Sequence, residues 1–477
     1  MRVFITGATG FIGRALVLRL LGTGHQVTAW VRDEERARNL LGSEVVLVPT
    51  NSSIGEHIPR ANAVINLAGE PVLAGRWKAS RKSAIVESRI NLTRAIATAI
   101  AESPSPPSVL ISASAVGYYG DRGDETVEDD TPAGNDFLAT LCRDWEASAL
   151  AAQNSRTRVF IPRLGIVLAP EEGALARMVL PFRFGVGGPI GSGRQYVPWI
   201  HIDDLVEILV TALQDERFSG PLIAAAPNPV TSRQLAGAIG IVLRRPSLLP
   251  VPGLALRILL GEVGAYLLTG QRVRPRRLEQ LGFVWRYSEI ETALADILKD
   301  DDVRIERFNE FATEPLAGTA SNYLSIHRPR FVLSHKTRVE APIEEVFRFL
   351  SKPQNLGVMT PRAMRFRILS ELPHEFRPGL RIEYALHLGP VPLQWRTRIE
   401  EWKPPGLFAD SQESGPYHCW WHEHHFQPDG NRTLMEDRVY YAPPLGLAGT
   451  VANVLFVAPA LRRIFWYRRH VLRLRFP

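Results

Sequence analysis

Cysteine is nearly absent: Cys142 and Cys419 are the only two in 477 residues, and they lie far apart. That excludes a disulfide framework and a cysteine-rich zinc site, and it fits a reducing, cytoplasmic setting. Charge of neither sign dominates. Lysine plus arginine exceed aspartate plus glutamate by 56 − 49 = +7, short of the basic stripe that marks a nucleic-acid-binding chain, so no nucleic-acid partner is expected. Long apolar runs are lacking as well. The opening Val3-Phe4-Ile5 is too short for a signal-peptide core. The uncharged stretch 440–461 is broken by Pro443, Pro444, Gly446, Gly449, Asn453 and Pro459, so no spanning helix is expected there. No internal repeat is present. What remains is ordinary: 45% hydrophobic and 22% charged residues over this length describe a folded chain of two or three domains.

Short β-rich apolar runs recur at 3–5, 27–31, 45–48, 63–67, 109–111, 159–161 and 222–224, separated by helix-compatible segments. Strands apolar on both faces and alternating with helices predict a doubly wound α/β fold on a parallel sheet. After Ala226, prolines 227, 229, 246, 250 and 252 punctuate helical stretches, so 227–299 is expected to be a substrate-side appendage of a first domain spanning 1–299. Residues 300–330, mixed in charge and without sustained periodicity, are read as a linker. The texture then changes again. A strand at 331–339 precedes a helix that Pro342 opens, with Val346, Phe347 and Leu350 on its apolar face. Strand-like segments follow at 365–372, 380–388, 393–402, 417–427 and 433–441, the last two joined by the turn Pro428-Asp429-Gly430-Asn431, and a helix closes the chain. This predicts an α+β domain over 331–477, with an antiparallel meander wrapped on a long terminal helix.

The strongest motif is Thr6-Gly7-Ala8-Thr9-Gly10-Phe11-Ile12-Gly13, directly after the first strand and opening a helix. Glycines permit the tight turn and close backbone approach, and the helix start offers N–H groups and a positive dipole end to a pyrophosphate. The second strand ends Trp30-Val31-Arg32-Asp33, where NAD-preferring folds place an acid; Arg32 suits the 2′-phosphate of NADP instead.

Residues 1–298 resemble the extended short-chain dehydrogenase/reductases, in their nucleoside-diphosphate-sugar epimerase-like branch. The resemblance rests on that motif and on Asn66-Leu67-Ala68-Gly69-Glu70-Pro71, Ser88-Arg89-Ile90-Asn91, Ser112-Ala113-Ser114-Ala115-Val116-Gly117-Tyr118-Tyr119-Gly120 and Trp199-Ile200-His201-Ile202-Asp203-Asp204. It implies a Rossmann-like sheet, with Gly7, Gly10, Phe11, Ile12, Gly13 and Arg32 at the phosphates, Leu67, Ala68 and Gly69 under the cofactor, and Ser114 as the catalytic serine. The chain departs from that family at one place. On the helix where it carries a tyrosine and a lysine four residues apart, this sequence has Leu138 and Cys142. Tyr118 or Tyr119 is therefore the expected proton donor beside Ser114, with Arg163 or His201 assisting. Residues 331–477 resemble the START-like (SRPBCC) helix-grip superfamily, through Pro342 to Phe347 and the terminal helix, which implies a site for a hydrophobic ligand between sheet and helix. Trp395, Trp420, His422 and Phe426 are its expected lining.

His418, His422 and His424 share one face of a strand with Trp420 and Phe426. Spacing of two within one strand suits a closed tetrahedral site poorly, and no second ligand group is marked elsewhere, so packing is expected and a metal is not. The arginines at 462, 463, 468, 469, 473 and 475 interleave with apolar residues, as on a helix packed against the sheet with its charges outward rather than on a membrane surface. Taken together, the expectation is an NADP-dependent oxidoreductase or epimerase-like enzyme acting on a small molecule and fused to a hydrophobic-ligand domain. The alternative is a non-catalytic NADP sensor. No oligomeric state is read from the sequence.

Overall fold

The computed structural model describes residues 1–170, 172–300, 302–309, 319–371, 377–389 and 391–477. It divides into two compact units, Met1–Glu34 with Val45–Lys299, and Glu35–Glu44 with Asp300–Pro477.

In the first unit, β1 (Arg2–Thr6) leads into α1 (Phe11–Gly22), followed by β2 (Gln26–Val31), β3 (Val46–Pro49) and β4 (Ala63–Asn66). The long α2 (Ala79–Ala101), β5 (Val109–Ser112), α3 (Phe137–Leu150), β6 (Arg158–Leu164), α4 (Ile202–Gln214) and β7 (Gly220–Ala224) complete the framework. The sheet runs β7-β6-β5-β4-β1-β2-β3 and is parallel throughout. β4 and β5 are buried along their whole length, which is why they read as continuous apolar runs rather than alternating ones. Phe4, Val64, Leu110 and Val159 from one sheet face pack with Ile96 and Ile100 of α2. The strand order reverses between β4 and β1, so the carboxyl ends of those two strands frame the crevice where doubly wound folds bind their ligands. The appendage over 227–299 contains α5 (Glu262–Tyr266).

The second unit is an antiparallel sheet with helices. Its strands are β8 (Val303–Arg307), β9 (Phe331–Val339), β10 (Arg367–Ile368), β11 (Arg381–Leu388), β12 (Val391–Lys403), β13 (Leu407–Ser414), β14 (Cys419–Asp429) and β15 (Arg432–Ala442), with α6 (Thr319–His327), α7 (Ile343–Leu350) and the terminal α8 (Ala458–Arg475). They pair in the order β8-β9-β15-β14-β13-β12-β11-β10. Period-two alternation splits β14 between two faces. Trp420, His422, His424 and Phe426 face one way, toward Phe465 of α8 and Phe347 of α7, whereas Cys419 and Trp421 pack with Ala320 and Leu324 of α6.

Three expectations need correction. The segment 300–330 is not a linker: β8 pairs with β9 from Val303↔His335 to Arg307↔Phe331, because Val303-Arg304-Ile305 alternates apolar and charged residues as a strand edge does. Residues 301 and 310–318 of that segment lie outside the described ones, as does 372 of the strand expected at 365–372, which shortens to Arg367–Ile368. A whole strand, β13, was not expected at all. Nor do glycine and proline interrupt the helix after residue 446. Gly446–Ala452, a π-helical turn Asn453–Val457 and α8 follow one another directly, and the π turn sits just before Pro459, where the run loses one backbone donor. Among the described residues, Ala448–Arg475 is thus one helical run of 28 residues with the length and apolarity of a membrane span, and 28% of its apolar window is buried. In its later half, Leu461 and Phe465 belong to the core that also holds Trp395, Trp420 and Tyr441.

Candidate functional site

The glycine loop after β1 is shaped by contacts that exclude any side chain. Gly7 has φ +75°, and a Cβ there would stand 2.6 Å from the carbonyl carbon of Leu67 and 2.7 Å from the amide nitrogen of Ala68. A Cβ on Gly13 would meet the Gly7 carbonyl oxygen at 2.2 Å. The loop therefore lies flat against the chain leaving β4, and Leu67 N–H donates to the Thr6 carbonyl at 3.1 Å. Gly10 caps α1 without a side chain, so the first N–H groups of this 12-residue helix have no side-chain acceptor and point where an anion would sit. Beneath, Thr6 donates to Asn66 at 2.7 Å, and the Asn66 amide donates to Thr93 at 2.8 Å and Ser112 at 3.2 Å, locking the ends of β1, β4 and β5 together. Arg32 follows β2 with its side chain 86% exposed and 3.8 Å from the Glu70 carboxylate. The expected cofactor residues Gly7, Gly10, Phe11, Ile12, Gly13, Arg32, Leu67, Ala68 and Gly69 thus lie at adjoining strand ends of one parallel sheet. A dinucleotide's pyrophosphate and ribose fit that arrangement.

Ser114 does not stand free. Its hydroxyl donates to Glu146 of α3 at 2.7 Å, and Glu146 accepts two parallel bonds of 2.9 Å from Arg163. Arg163 also donates to the Tyr119 hydroxyl at 2.8 Å and the Asp129 carbonyl at 2.9 Å, and its guanidinium lies 3.6 Å from the centre of the Tyr118 ring. Tyr119 is completely buried, and burial raises its hydroxyl well above the usual tyrosine range. The structure therefore places Tyr119 inside the core as an acceptor for Arg163, which is a positioning role and not an exposed proton donor. Tyr118 differs: it lines a cleft of about 530 Å³ with Asp129, Arg163, Arg276 and Arg277. His201 is separate from this group. Its Nδ1 accepts from the Asp203 N–H at 3.1 Å as the cap of α4, and its ring stacks on Tyr287 at 3.9 Å.

Leu138 and Cys142 lie buried on α3, and burial pushes the Cys142 thiol up to about 12, which leaves it unreactive at neutral pH. One hydroxyl that the sequence did not single out reaches this spot. Tyr266, from α5 in the appendage, packs with Leu138, Trp77 and Phe137, and its hydroxyl lies 3.4 Å from where a Cβ on Gly117 would be. No spacing rule links Tyr266 to residues more than a hundred positions earlier, so only the tertiary structure reveals it. Arg89, from the Ser88-Arg89-Ile90-Asn91 motif, donates to the Glu70 carbonyl at 2.9 Å and lies against Gly69.

The model of the NAD dependent epimerase/dehydratase family matches residues 3–222, and one described as a domain of unknown function (DUF1731) matches 251–297. Epimerase family protein SDR39U1 of Mus musculus is 40% identical over 302 residues, covering 62% of this chain and all of that protein. The chain belongs to the NAD dependent epimerase/dehydratase family. Epimerase family protein YfhF of Bacillus subtilis is 36% identical over 301 residues, covering 63% of this chain and 99% of its own. Among solved structures, human SDR39U1 with NADPH is 35% identical at a TM-score of 0.56, covering 62% of this chain and 99% of that one. The nucleoside-diphosphate sugar epimerase of Corynebacterium glutamicum is 34% identical at 0.51, covering 62% and 57%. UDP-glucuronic acid 4-epimerase of Bacillus cereus, 17% identical at a TM-score of 0.50, shares the fold. Both family models end by residue 297, before the antiparallel sheet begins.

Proposed function

We propose that the family unit is an NADP(H)-dependent oxidoreductase of epimerase type acting on a small molecule in a reducing compartment. The observation that carries this reading is Arg32: an exposed guanidinium at the end of β2, beside the glycine loop, where an acid would select against a 2′-phosphate. The human relative solved with NADPH supports the same choice. A bound nicotinamide would supply hydride transfer. The chain's own part is to seat the pyrophosphate on α1, to pair Arg32 with the 2′-phosphate, and to hold Ser114 through Glu146 and Arg163. With Tyr119 engaged in the core, the proton donor in this reading is Tyr118 or, nearer to Leu138 and Cys142, Tyr266.

The absence of the family's tyrosine and lysine, replaced by Leu138 and Cys142, favours a second reading, a sensor that binds NADPH without turning it over. For the second unit, the antiparallel sheet packed on a terminal helix supports a START-like domain. A hydrophobic-ligand role there is a proposal that lipid-binding measurements test.

Calorimetry on the full chain tests the main reading. NADPH should bind more tightly than NADH, and Arg32→Ala should weaken NADPH by about 10- to 100-fold, the worth of one charge-assisted contact, while leaving NADH unchanged. Equal affinity for both cofactors in the unmodified protein would overturn it.

A further inference from the structure

The second unit buries two carboxylates and two imidazoles together, on three neighbouring strands. Asp410 comes from β13, His422 and His424 from β14, and Asp437 from β15. All four side chains are largely or fully buried, between 2% and 16% exposed. Neighbouring strands and the two-residue spacing in β14 bring the imidazoles side by side, ring centres 3.9 Å apart.

The two sides of the imidazole pair differ. On one, a single oxygen of Asp437 lies 3.0 Å from His422 Nε2 and 2.7 Å from His424 Nδ1. One Asp437 oxygen lies against both rings, which leaves the opposite nitrogens, Nδ1 of His422 and Nε2 of His424, turned to the other side. Both face the same oxygen of Asp410, at 3.8 Å and 3.9 Å. Those distances are too long for hydrogen bonds, and one ligand atom from each of Asp410, His422 and His424 lies within 4.8 Å of the others, a spacing that an ion between them would draw together. Two ligands roughly 2.1 Å from a tetrahedral ion stand about 3.4 Å apart, so each nitrogen needs to close on the Asp410 oxygen by only about half an ångström.

The surroundings match a metal centre in a further respect. Each ligand is oriented by a partner behind it, Asp437 behind both histidines and the Thr397 hydroxyl, at 3.1 Å, behind the other oxygen of Asp410. Metal sites use such partners to set ring orientation and basicity.

We propose that Asp410, His422 and His424 bind a divalent first-row transition-metal ion of the zinc class, with Asp437 as the carboxylate that orients both histidines. Two imidazoles and one carboxylate suit such ions and not calcium or magnesium, which prefer all-oxygen sites. Three protein ligands leave a further position for water or a donor atom of a bound molecule, the arrangement of an open rather than a purely structural site.

Chelator-treated full-length protein, titrated with Co²⁺ followed by absorption and with Zn²⁺ followed by calorimetry, tests this. About one equivalent should bind, with the visible bands of nitrogen-and-oxygen-ligated Co²⁺. The double change His422→Ala/His424→Ala, and separately the near-isosteric Asp410→Asn, should abolish binding at concentrations that saturate the unmodified chain. Asp437→Asn should weaken it by roughly 10- to 100-fold without abolishing it. Near-UV circular dichroism of the aromatic cluster around Trp395, Trp420 and Trp421 in the same unit reports whether each variant is folded. Should variants fail to fold, X-ray absorption of the zinc-loaded unmodified protein decides the matter: about two imidazoles around the ion support the site. An unmodified chain that binds neither ion, binding that survives the double change, or a zinc shell without histidine would each overturn it.

Discussion

Gly7 and Gly13 shape the loop proposed to hold the cofactor, because a methyl group has nowhere to go at either. At Gly7 the positive φ adds about 1–3 kcal/mol of strain to the clash with Leu67 and Ala68. Gly7→Ala is therefore expected to abolish NADPH binding, as read by calorimetry, while circular dichroism still shows a folded chain. The buried pair of Glu146 and Arg163 behaves differently, since removing one partner strands the other charge. Glu146→Ala should cost about 3–5 kcal/mol in urea unfolding of the family unit and should free the Ser114 hydroxyl. The two thiols set a dependence at alkaline pH. Burial raises Cys142 and Cys419 from 9.0 to about 12. Between those values the folded chain keeps protons that the unfolded chain has released, so stability is full below pH 9 and falls as pH rises toward 12. Replacing both with alanine should flatten part of that decline in urea midpoints measured across the window.

At the scale of elements, α3 carries Leu138, Cys142 and Glu146 to the site, and its start is set by Asp136, whose side chain accepts from the Ala139 N–H at 2.8 Å. Asp136→Ala should cost about 0.5–2 kcal/mol and raise hydrogen exchange at the first turn of α3. The elements of the first unit were legible because β4 and β5 are uniformly apolar and α1 follows its glycines at once. β13 was not. Its sequence, Leu407-Phe408-Ala409-Asp410-Ser411-Gln412-Glu413-Ser414, is built largely of residues disfavoured in strands, and pairing on both sides forms it regardless. Missing that strand also concealed Asp410, which is why His422 and His424 read as packing residues.

For the whole molecule, the boundary at 299 follows from the change in texture, but β8 belongs with the sheet that comes after it. A fragment beginning at 331 lacks this edge strand and exposes the backbone of β9, whereas one beginning at 300 keeps it. Scanning calorimetry should show a higher and sharper transition for the fragment 300–477 than for 331–477. Equal melting of the two would mean that β8 contributes nothing to the stability of this unit.

Local chemistry determined much from sequence alone: the parallel sheet, the glycine loop opening α1, Arg32 at the end of β2 and the turn at Gly430. Each is written in residues a few positions apart, and period, glycine and charge act at that range. Tertiary structure decided the rest. It buried Tyr119 against Arg163, brought Tyr266 beside Leu138, joined β8 to a sheet across a segment that reads as linker, and set Asp410 and Asp437 on either side of two histidines. Those groupings depend on strand pairing and on packing between distant segments, and a contact of that kind leaves no periodic trace in the residues that make it.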